Sequence, residues 1–399
     1  MNETINEFNK YVMQTYGRYD IVLETGENDN AASENDKTYI DFGSGIGTNS
    51  LGYCNSAWVD AVTAQVKKLQ HTSNYYYTAV QGEFAKKLCK ISGYKKVFFG
   101  NSGAEANECA IKIARKYSFD KYGIVDHNAD DCGKYRAEII TLTQSFHGRT
   151  ITTLSATGQE DFHNYFFPFT PGFVHCEPNI RAFENALSKK TCAVMLEFIQ
   201  GEGGVNNLSE DFVKAVFDIC RERDILIIAD EVQTGVGRTG KFLAAAHYGV
   251  KPDIVSLAKG IAGGLPIGAC LVGERCENVL GKGDHGSTFG GNPVCAAGGN
   301  AVLDTLNAPG FLDEVTKKGD YFREKLLKMP AVESVSGIGL MIGIKFKGDI
   351  KAADISKKCH ENGLLVLTAK DKLRFLPPLN IGFDEIDMGL GILAEILQN

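Results

Sequence analysis

From about Val97 to Leu306 the chain alternates short apolar runs with helical patterns. The runs VFFG (97–100), EIITLT (138–143), AVMLEF (193–198), ILIIAD (225–230), DIVSLA (253–258) and ACLVG (269–273) are largely continuous, as strands buried on both faces require. Between them, AEANECAIKIARKY (104–117) and EDFVKAVFDICRER (210–223) repeat apolar residues at helical spacing. This alternation predicts an α/β domain on a mostly parallel sheet covered by helices. Beyond Pro309 the texture becomes helix, strand, helix, two short strands (LLVLTA and LRFLPP) and a last helix from about Asp384, which predicts a smaller α+β unit. The first fifty residues hold no helix long enough to stand alone and are expected to pack against that unit. The expected division is therefore 1–50, 51–308 and 309–399. The polar stretch KYGIVDHNADDCGKY (121–135) reads as a surface insertion.

A length of 399 residues exceeds one ordinary core and leaves room for an enclosed site. With 44% hydrophobic and 23% charged residues, disorder is excluded as the state of the chain. The net charge of -7, without any Lys/Arg block, argues against nucleic acid or an anionic membrane as partner and leaves small molecules. The N-terminus MNETINEFNKYVMQ is polar, and no apolar run approaches the roughly 20 residues of a membrane span. A cytoplasmic protein is expected. Its eleven cysteines form no C-x-x-C pair and read as reduced, mostly buried thiols, so no metal site is expected.

In open α/β sheets functional residues gather where strands end. NSGAEANE (101–108) follows VFFG: Ser102 can cap a helix, Gly103 permits close backbone approach, and free amides at a helix start bind phosphate. The same Ser-x-x-Glu is equally an ordinary cap. FHGR (146–149) after EIITLT is by itself no more than packing or a solvated charge. ADEVQTGVGRTG (229–240) places Asp230 at the end of an apolar strand, where an acid either caps the next helix or meets a positive partner. Lys259 ends the next strand, and three of the five residues after it are glycine. A lysine kept from water there has a lowered pKa and can form a Schiff base with a carbonyl compound. Asp230 could then face the ring nitrogen of a pyridine cofactor. Phosphate site, acid and lysine together specify pyridoxal 5′-phosphate. Gly235, Gly237 and Gly240 also spell G-x-G-x-x-G, but five residues separate the apolar strand from the first glycine, so the tight dinucleotide turn is absent.

Taken together, NSGAEANE, SFHGRT, LSATGQ, IQGEGGV, DEVQTGVGRTG, LAKG and HGSTFGGNP resemble the class III pyridoxal-phosphate-dependent ω-aminotransferases, and the likeness runs from YGRYDIVLETG to RFLPP. It implies a fold-type I, aspartate-aminotransferase-like architecture with a seven-stranded sheet, working as a homodimer with sites at the subunit interface. Lys259 matches the lysine bonded to the cofactor, and Asp230 the partner of its ring nitrogen. Val232 and Phe146 match residues flanking the ring, and Gln233 the one bonding its phenolic oxygen. Glu231, between Asp230 and Val232, is counted with the cofactor residues. Ser102, Gly103 and Ala104 match the phosphate cup, with Thr288 supplied by the neighbouring subunit. Arg149 matches a contact to the α-carboxylate of N-acetylornithine, and Ser287 a further contact from the partner. Arg374 matches the arginine for the α-carboxylate of the oxo acid, and Glu197 the carboxylate that covers it when a terminal amine reacts.

The implied activity passes the terminal amine of N2-acetyl-L-ornithine to 2-oxoglutarate. Gly45, in SGIGTNS, lies near where ornithine-specific members carry a tyrosine, which leans toward an acylated donor. Two departures from the family, GYCNS (52–56) and DNAASENDK (29–37), the latter in place of a more regular strand pair, lie in the N-terminal segment expected to reach the substrate. Succinylornithine, ornithine and N-succinyl-diaminopimelate stay open as donors, and an aminomutase is the alternative reaction.

Overall fold

The computed structural model describes residues 2–33, 37–131 and 133–398. Seven strands form the main sheet: β1 Lys96–Gly100, β2 Glu138–Leu142, β3 Phe173–Cys176, β4 Thr191–Leu196, β5 Leu226–Asp230, β6 Ile254–Leu257 and β7 Gly268–Val272. Their order is β1-β7-β6-β5-β4-β2-β3, and only β7 runs antiparallel to its neighbours. Six of the strands lie on the six apolar runs. The seventh, β3, escaped the pattern because it is four residues long at the sheet edge, with His175 exposed.

Continuous apolar runs are needed because successive side chains enter different cores. Ile139, Ala193, Ile254 and Cys270 join the cluster under α1 (Gly103–Tyr122), whereas their next neighbours Ile140, Val194, Val255 and Leu271 join the opposite one. That second cluster also takes Val213, Val216 and Phe217 from α2 (Glu210–Glu222) and Val302 and Leu306 from α3 (Pro293–Leu306). The 121–135 stretch lies mostly at the surface, with Cys132 outside the described residues. Of the cysteines, ten are described, all as free thiols. Among the described residues no helix is long and apolar enough to cross a membrane.

Past the main sheet, helix Phe311–Leu327 leads into a hairpin, Val332–Ile338 with Met341–Phe346, where a single strand was expected. Two neighbouring strand-forming runs had been read as one because Gly339 and Leu340 alone turn the chain. Met341–Phe346 then pairs with Lys372–Phe375, which carries Arg374. Near the N-terminus, Leu23–Glu27, Asn30–Ser33 and Thr38–Asp41 form an antiparallel sheet, to which Leu364–Leu365 adds in parallel. Asn30–Ser33 is thus a strand paired on both sides, with the irregularity expected there confined to a register shift between Leu23 and Thr25 opposite Ser33 and Ala32; Glu34, Asn35 and Asp36 lie outside the described residues.

The G-x-G-x-x-G loop serves packing. A Cβ on Gly237 (φ 84°) would stand 2.8 Å from Leu312, and one on Gly240 (φ 83°) 2.1 Å from the Thr316 hydroxyl, so these glycines admit helix Phe311–Leu327. Arg238 between them is buried and donates to the carbonyl oxygens of Leu340 and Pro377, tying the loop to the C-terminal unit.

Gly268 opens β7 directly against the start of α1: a Cβ there would lie 2.1 Å from the Ser102 carbonyl oxygen. Gly268→Ala should therefore destabilise the protein by about 1–3 kcal/mol, the usual penalty of overpacking. Urea unfolding checks this as a lower midpoint at unchanged slope.

Candidate active site

A cleft of about 650 Å³ opens at the carboxyl ends of β5 and β6 and the first turn of α1. It is bordered by Ser102, Gly103, Ala104, Phe146, Arg149, Glu197, Asp230, Val232, Gln233 and Lys259, together with Thr48, Asn107, His147 and Glu202. Ten residues singled out in separate stretches of sequence thus meet in one place. The other four were not assigned.

Asp230 is buried at the end of β5. Its Oδ2 accepts from His147 Nδ1 at 2.8 Å and Asn107 Nδ2 at 2.8 Å, and its Oδ1 from the Val232 amide at 3.1 Å. Three donors offset the desolvation that a lone carboxylate would suffer. Asn107 also donates to the His147 carbonyl oxygen at 2.7 Å, joining α1 to the FHGR loop. The sequence signal for Asn107 was a polar residue on a helix face otherwise filled by Ala106, Cys109, Ala110 and Ile113. Buried His147 Nε2 and Asn107 Oδ1 have no protein partner among the described residues, a pattern that marks functional sites.

Register places Asp230 beside Ser256, and Lys259 follows three residues later in the turn Lys259–Ala262. Lys259 adopts φ 47°, a left-handed conformation that a residue with a Cβ takes only under constraint. Its amine has no hydrogen bond or ion pair among the described residues. Loss of hydration pushes its pKa below the usual 10.5, opposed by the charges of Glu202, Asp230 and Glu197 and assisted by Arg374.

Arg374 does not itself border the cleft: it is buried on Lys372–Phe375 and donates to two residues that do, to Glu202 Oε1 at 2.7 Å, Glu202 Oε2 at 3.3 Å and Gln233 Oε1 at 3.2 Å. Glu202, not Glu197, is the carboxylate on this arginine. Glu197 instead accepts from the amides of Phe146 (2.9 Å) and Gly201 (3.2 Å). Burial pushes Glu197 up to about 7 despite His147 and those amides. Burial acts the same way on Glu202, but Arg374 outweighs it and holds that carboxyl below the ordinary value.

Glu231 departs from expectation. It faces away from the cleft, accepting from the amides of Ala244 (2.6 Å) and Ala245 (2.9 Å) and from the Thr234 hydroxyl (3.2 Å). Alternation along the chain after β5 sends it to the opposite side from Asp230 and Val232, and burial pushes its carboxyl up to about 7. Arg149 is exposed at the cleft, over the rings of Phe162 and Phe146. Ser287 and Thr288 do not border the cleft; the Ser287 hydroxyl accepts from Asn101 at 3.1 Å, and Thr288 is exposed. Neither GYCNS nor the described residues of 29–37 border it: Tyr53 donates to Asp41 at 2.6 Å and Asn55 caps helix Ser56–Lys68, leaving Thr48 as the N-terminal contributor among the described residues.

These residues suit a phosphorylated pyridine aldehyde. No protein acceptor takes the amides of Gly103 or Ala104 among the described residues, so the first turn of α1 offers free donors. Its backbone passes close to the cleft wall: a Cβ on Gly103 would sit 2.8 Å from Val232. An aligned carboxylate and a desolvated, unpaired amine border the same space. Such a cleft on this sheet defines a pyridoxal-phosphate enzyme.

The class-III aminotransferase model matches residues 11–397. The acetylornithine aminotransferase of Haemophilus ducreyi is 51% identical over 97% of this chain and 96% of its own length. That of Caldanaerobacter subterraneus subsp. tengcongensis is 48% identical over 98% of both. Among solved structures, ornithine aminotransferase from Toxoplasma gondii superposes with a TM-score of 0.92 at 33% identity, covering 99% of this chain and 94% of that one. N-acetylornithine aminotransferase from Stenotrophomonas maltophilia gives 0.84 at 33%, covering 99% and 98%. The chain belongs to the class III aminotransferases, which depend on pyridoxal phosphate and carry an amine from an amino donor to an oxo acid.

Because the folded pKa of Lys259 lies below its unfolded value, the unfolded chain holds the extra proton between the two, and stability rises with pH across that interval. Lys259→Met removes this slope. In cofactor-free protein the variant should be more stable than wild type by on the order of 1 kcal/mol near neutral pH, the scale of one uncompensated polar group. The gap should close as pH approaches the usual lysine value. Urea titrations at about pH 7 and about pH 10 measure it.

Proposed function

We propose that this chain transfers the terminal amine of N2-acetyl-L-ornithine to 2-oxoglutarate, yielding N-acetyl-L-glutamate 5-semialdehyde and L-glutamate. The observation that carries this reading is the unequal state of two arginines: Arg374, which meets the cleft only through its partners Glu202 and Gln233, is closed by Glu202, whereas Arg149, on the cleft border, is open. A donor that reacts at its far end needs only the open one for its α-carboxylate. An oxo acid that reacts beside its carboxylate needs the other. The relatives at 48% and 51% identity, named acetylornithine aminotransferases, favour the acetylated donor. Unacylated ornithine is the second reading, because ornithine aminotransferase is a near neighbour in structure.

Pyridoxal phosphate, when bound, supplies an aldehyde that exchanges one amine for another and a ring that withdraws electrons. Ser102, Gly103 and Ala104 would hold its phosphate, with Phe146 and Val232 on either side of the ring and Gln233 at the phenolic oxygen. Asp230, aligned by His147 and Asn107, would keep the ring nitrogen protonated. Arg149 binds the donor's α-carboxylate, directing the δ-amine inward. Lys259 Nζ, uncharged more readily because its pKa is lowered, takes the proton from the donor's δ-carbon. When the oxo acid enters, its α-carboxylate displaces Glu202 from Arg374. Thr288 and Ser287, outside the cleft of their own chain, serve the site of a second copy, so the working unit is a homodimer. The enzyme works in the cytoplasm, with 1–50 and 309–399 as the smaller unit beside 51–308.

Incubation with N-acetylornithine and 2-oxoglutarate should produce glutamate; absence of glutamate with every ω-amine donor defeats the assignment. Lys259→Ala should keep the fold and lose almost all turnover. Arg374→Ala should slow the oxo-acid half-reaction more than the donor half, read separately by stopped-flow absorbance. Two variants inactive alone, Lys259→Ala and a Thr288 substitution that blocks phosphate binding, should regain activity when coexpressed as mixed dimers.

A further inference from the structure

Arg149 has no carboxylate and no hydrogen-bond acceptor among the described residues. Its guanidinium carbon instead lies 4.2 Å from the Phe162 ring centroid and 5.4 Å from that of Phe146. The two rings meet edge to face, with centroids 5.7 Å apart at 70°. We propose that Phe162 is a positioning residue for the substrate carboxylate, its ring face holding the Arg149 guanidinium in place while leaving that group's hydrogen-bond donors free.

The chemistry separates this arrangement from that at Arg374. A carboxylate partner, such as Glu202 on both terminal nitrogens of Arg374, occupies donors of an arginine and must be displaced before a substrate anion binds them. A ring face attracts the cation through its quadrupole and accepts no hydrogen bond in the plane of the guanidinium. The arginine is thereby ordered in advance and its charge remains unspent.

Phe162 is itself fixed from both sides. It ends the turn Glu160–Phe162. The preceding Gln159 is buried, and its amide donates to the Ser145 carbonyl oxygen at 3.1 Å, one residue before Phe146. The following His163 bonds the Leu154 carbonyl oxygen through Nε2 at 2.8 Å. Beyond Arg149, Thr150 caps helix Ile151–Ala156 and anchors the backbone. Ring and guanidinium are therefore held by separate anchors on one short stretch of chain. Nothing in the local sequence marked Phe162, because its partner is thirteen residues away, beyond helix Ile151–Ala156.

The inference rests on the reading of Arg149 as the donor's carboxylate site, and the test separates the two. Donor half-reactions of the holoenzyme are followed by cofactor absorbance with N-acetylornithine and with N-acetyl-1,4-diaminobutane, which has the same reacting amine and no α-carboxylate. Phe162→Leu should raise the half-saturating concentration of N-acetylornithine about five-fold, the scale of one exposed cation–π contact, with little change at saturation. It should leave the diamine unaffected, and Phe162→Tyr should behave as wild type. Phe162→Met replaces the leucine variant if that fails to fold. If Arg149→Ala leaves N-acetylornithine binding unchanged, the donor reading falls. If Arg149→Ala weakens it but Phe162→Leu does not, or if Phe162→Leu weakens both donors equally, or if Phe162→Tyr matches Phe162→Leu, the role of Phe162 is overturned.

Discussion

Asp230 closes a strand on which every residue is buried, and the site depends on how that charge is kept there. Its carboxylate meets donors from α1, from the FHGR loop and from its own turn, so three separate pieces of chain must be in register before its hydrogen bonds are complete. The same register sets α1 so that its free amides and the carboxylate open into one cleft. Removing any one donor leaves a partly satisfied buried charge, which is worse than none. The fold thus specifies the site through one anion's need for partners.

Lys259 shows the opposite use of burial. Among the described residues no hydrogen bond or ion pair satisfies its amine, and a left-handed backbone holds it where β6 ends. Gly263 and Gly264 (φ 62° and 108°) then turn the chain away, and a Cβ on Gly263 would meet the Trp58 indole at 2.8 Å. The strain is local and the surrounding core pays for it, since β5, β6 and β7 on either side are wholly buried. A stable scaffold carries one residue in an unfavourable state, the state that the proposed chemistry of its amine requires.

What was legible in the chain follows from this contrast. Strands filled on both faces leave continuous apolar runs, and an ionisable residue at the end of such a run is visible without any knowledge of the fold; Asp230 and Lys259 are both of this kind. Glu197 and Glu202 are not, because both lie within one short segment after β4 and only the direction of each side chain tells them apart. Glu197 comes immediately after the strand and is captured by neighbouring amides, while the short strand Ile199–Gln200 carries the chain on to Glu202. Glu231 illustrates the same limit: sharing a motif with Asp230 did not mean sharing its face. His147 and Asn107 were hidden because their importance lies in a contact between loops distant in sequence. The motif G-x-G-x-x-G was legible as well: its distance from the strand argued against a dinucleotide turn, and only the fold shows that its glycines admit a closely packed helix.

In the proposed reaction, the ion pair of Glu202 with Arg374 makes the enzyme its own tethered competitor. An acid fixed to the same chain acts at a high effective concentration that dilution cannot lower. A small monocarboxylate must outbid it with one group alone, whereas a dicarboxylate brings a second point of attachment to set against it. The pair therefore works as a threshold that sorts anions by how many handles they bring, before any chemistry begins.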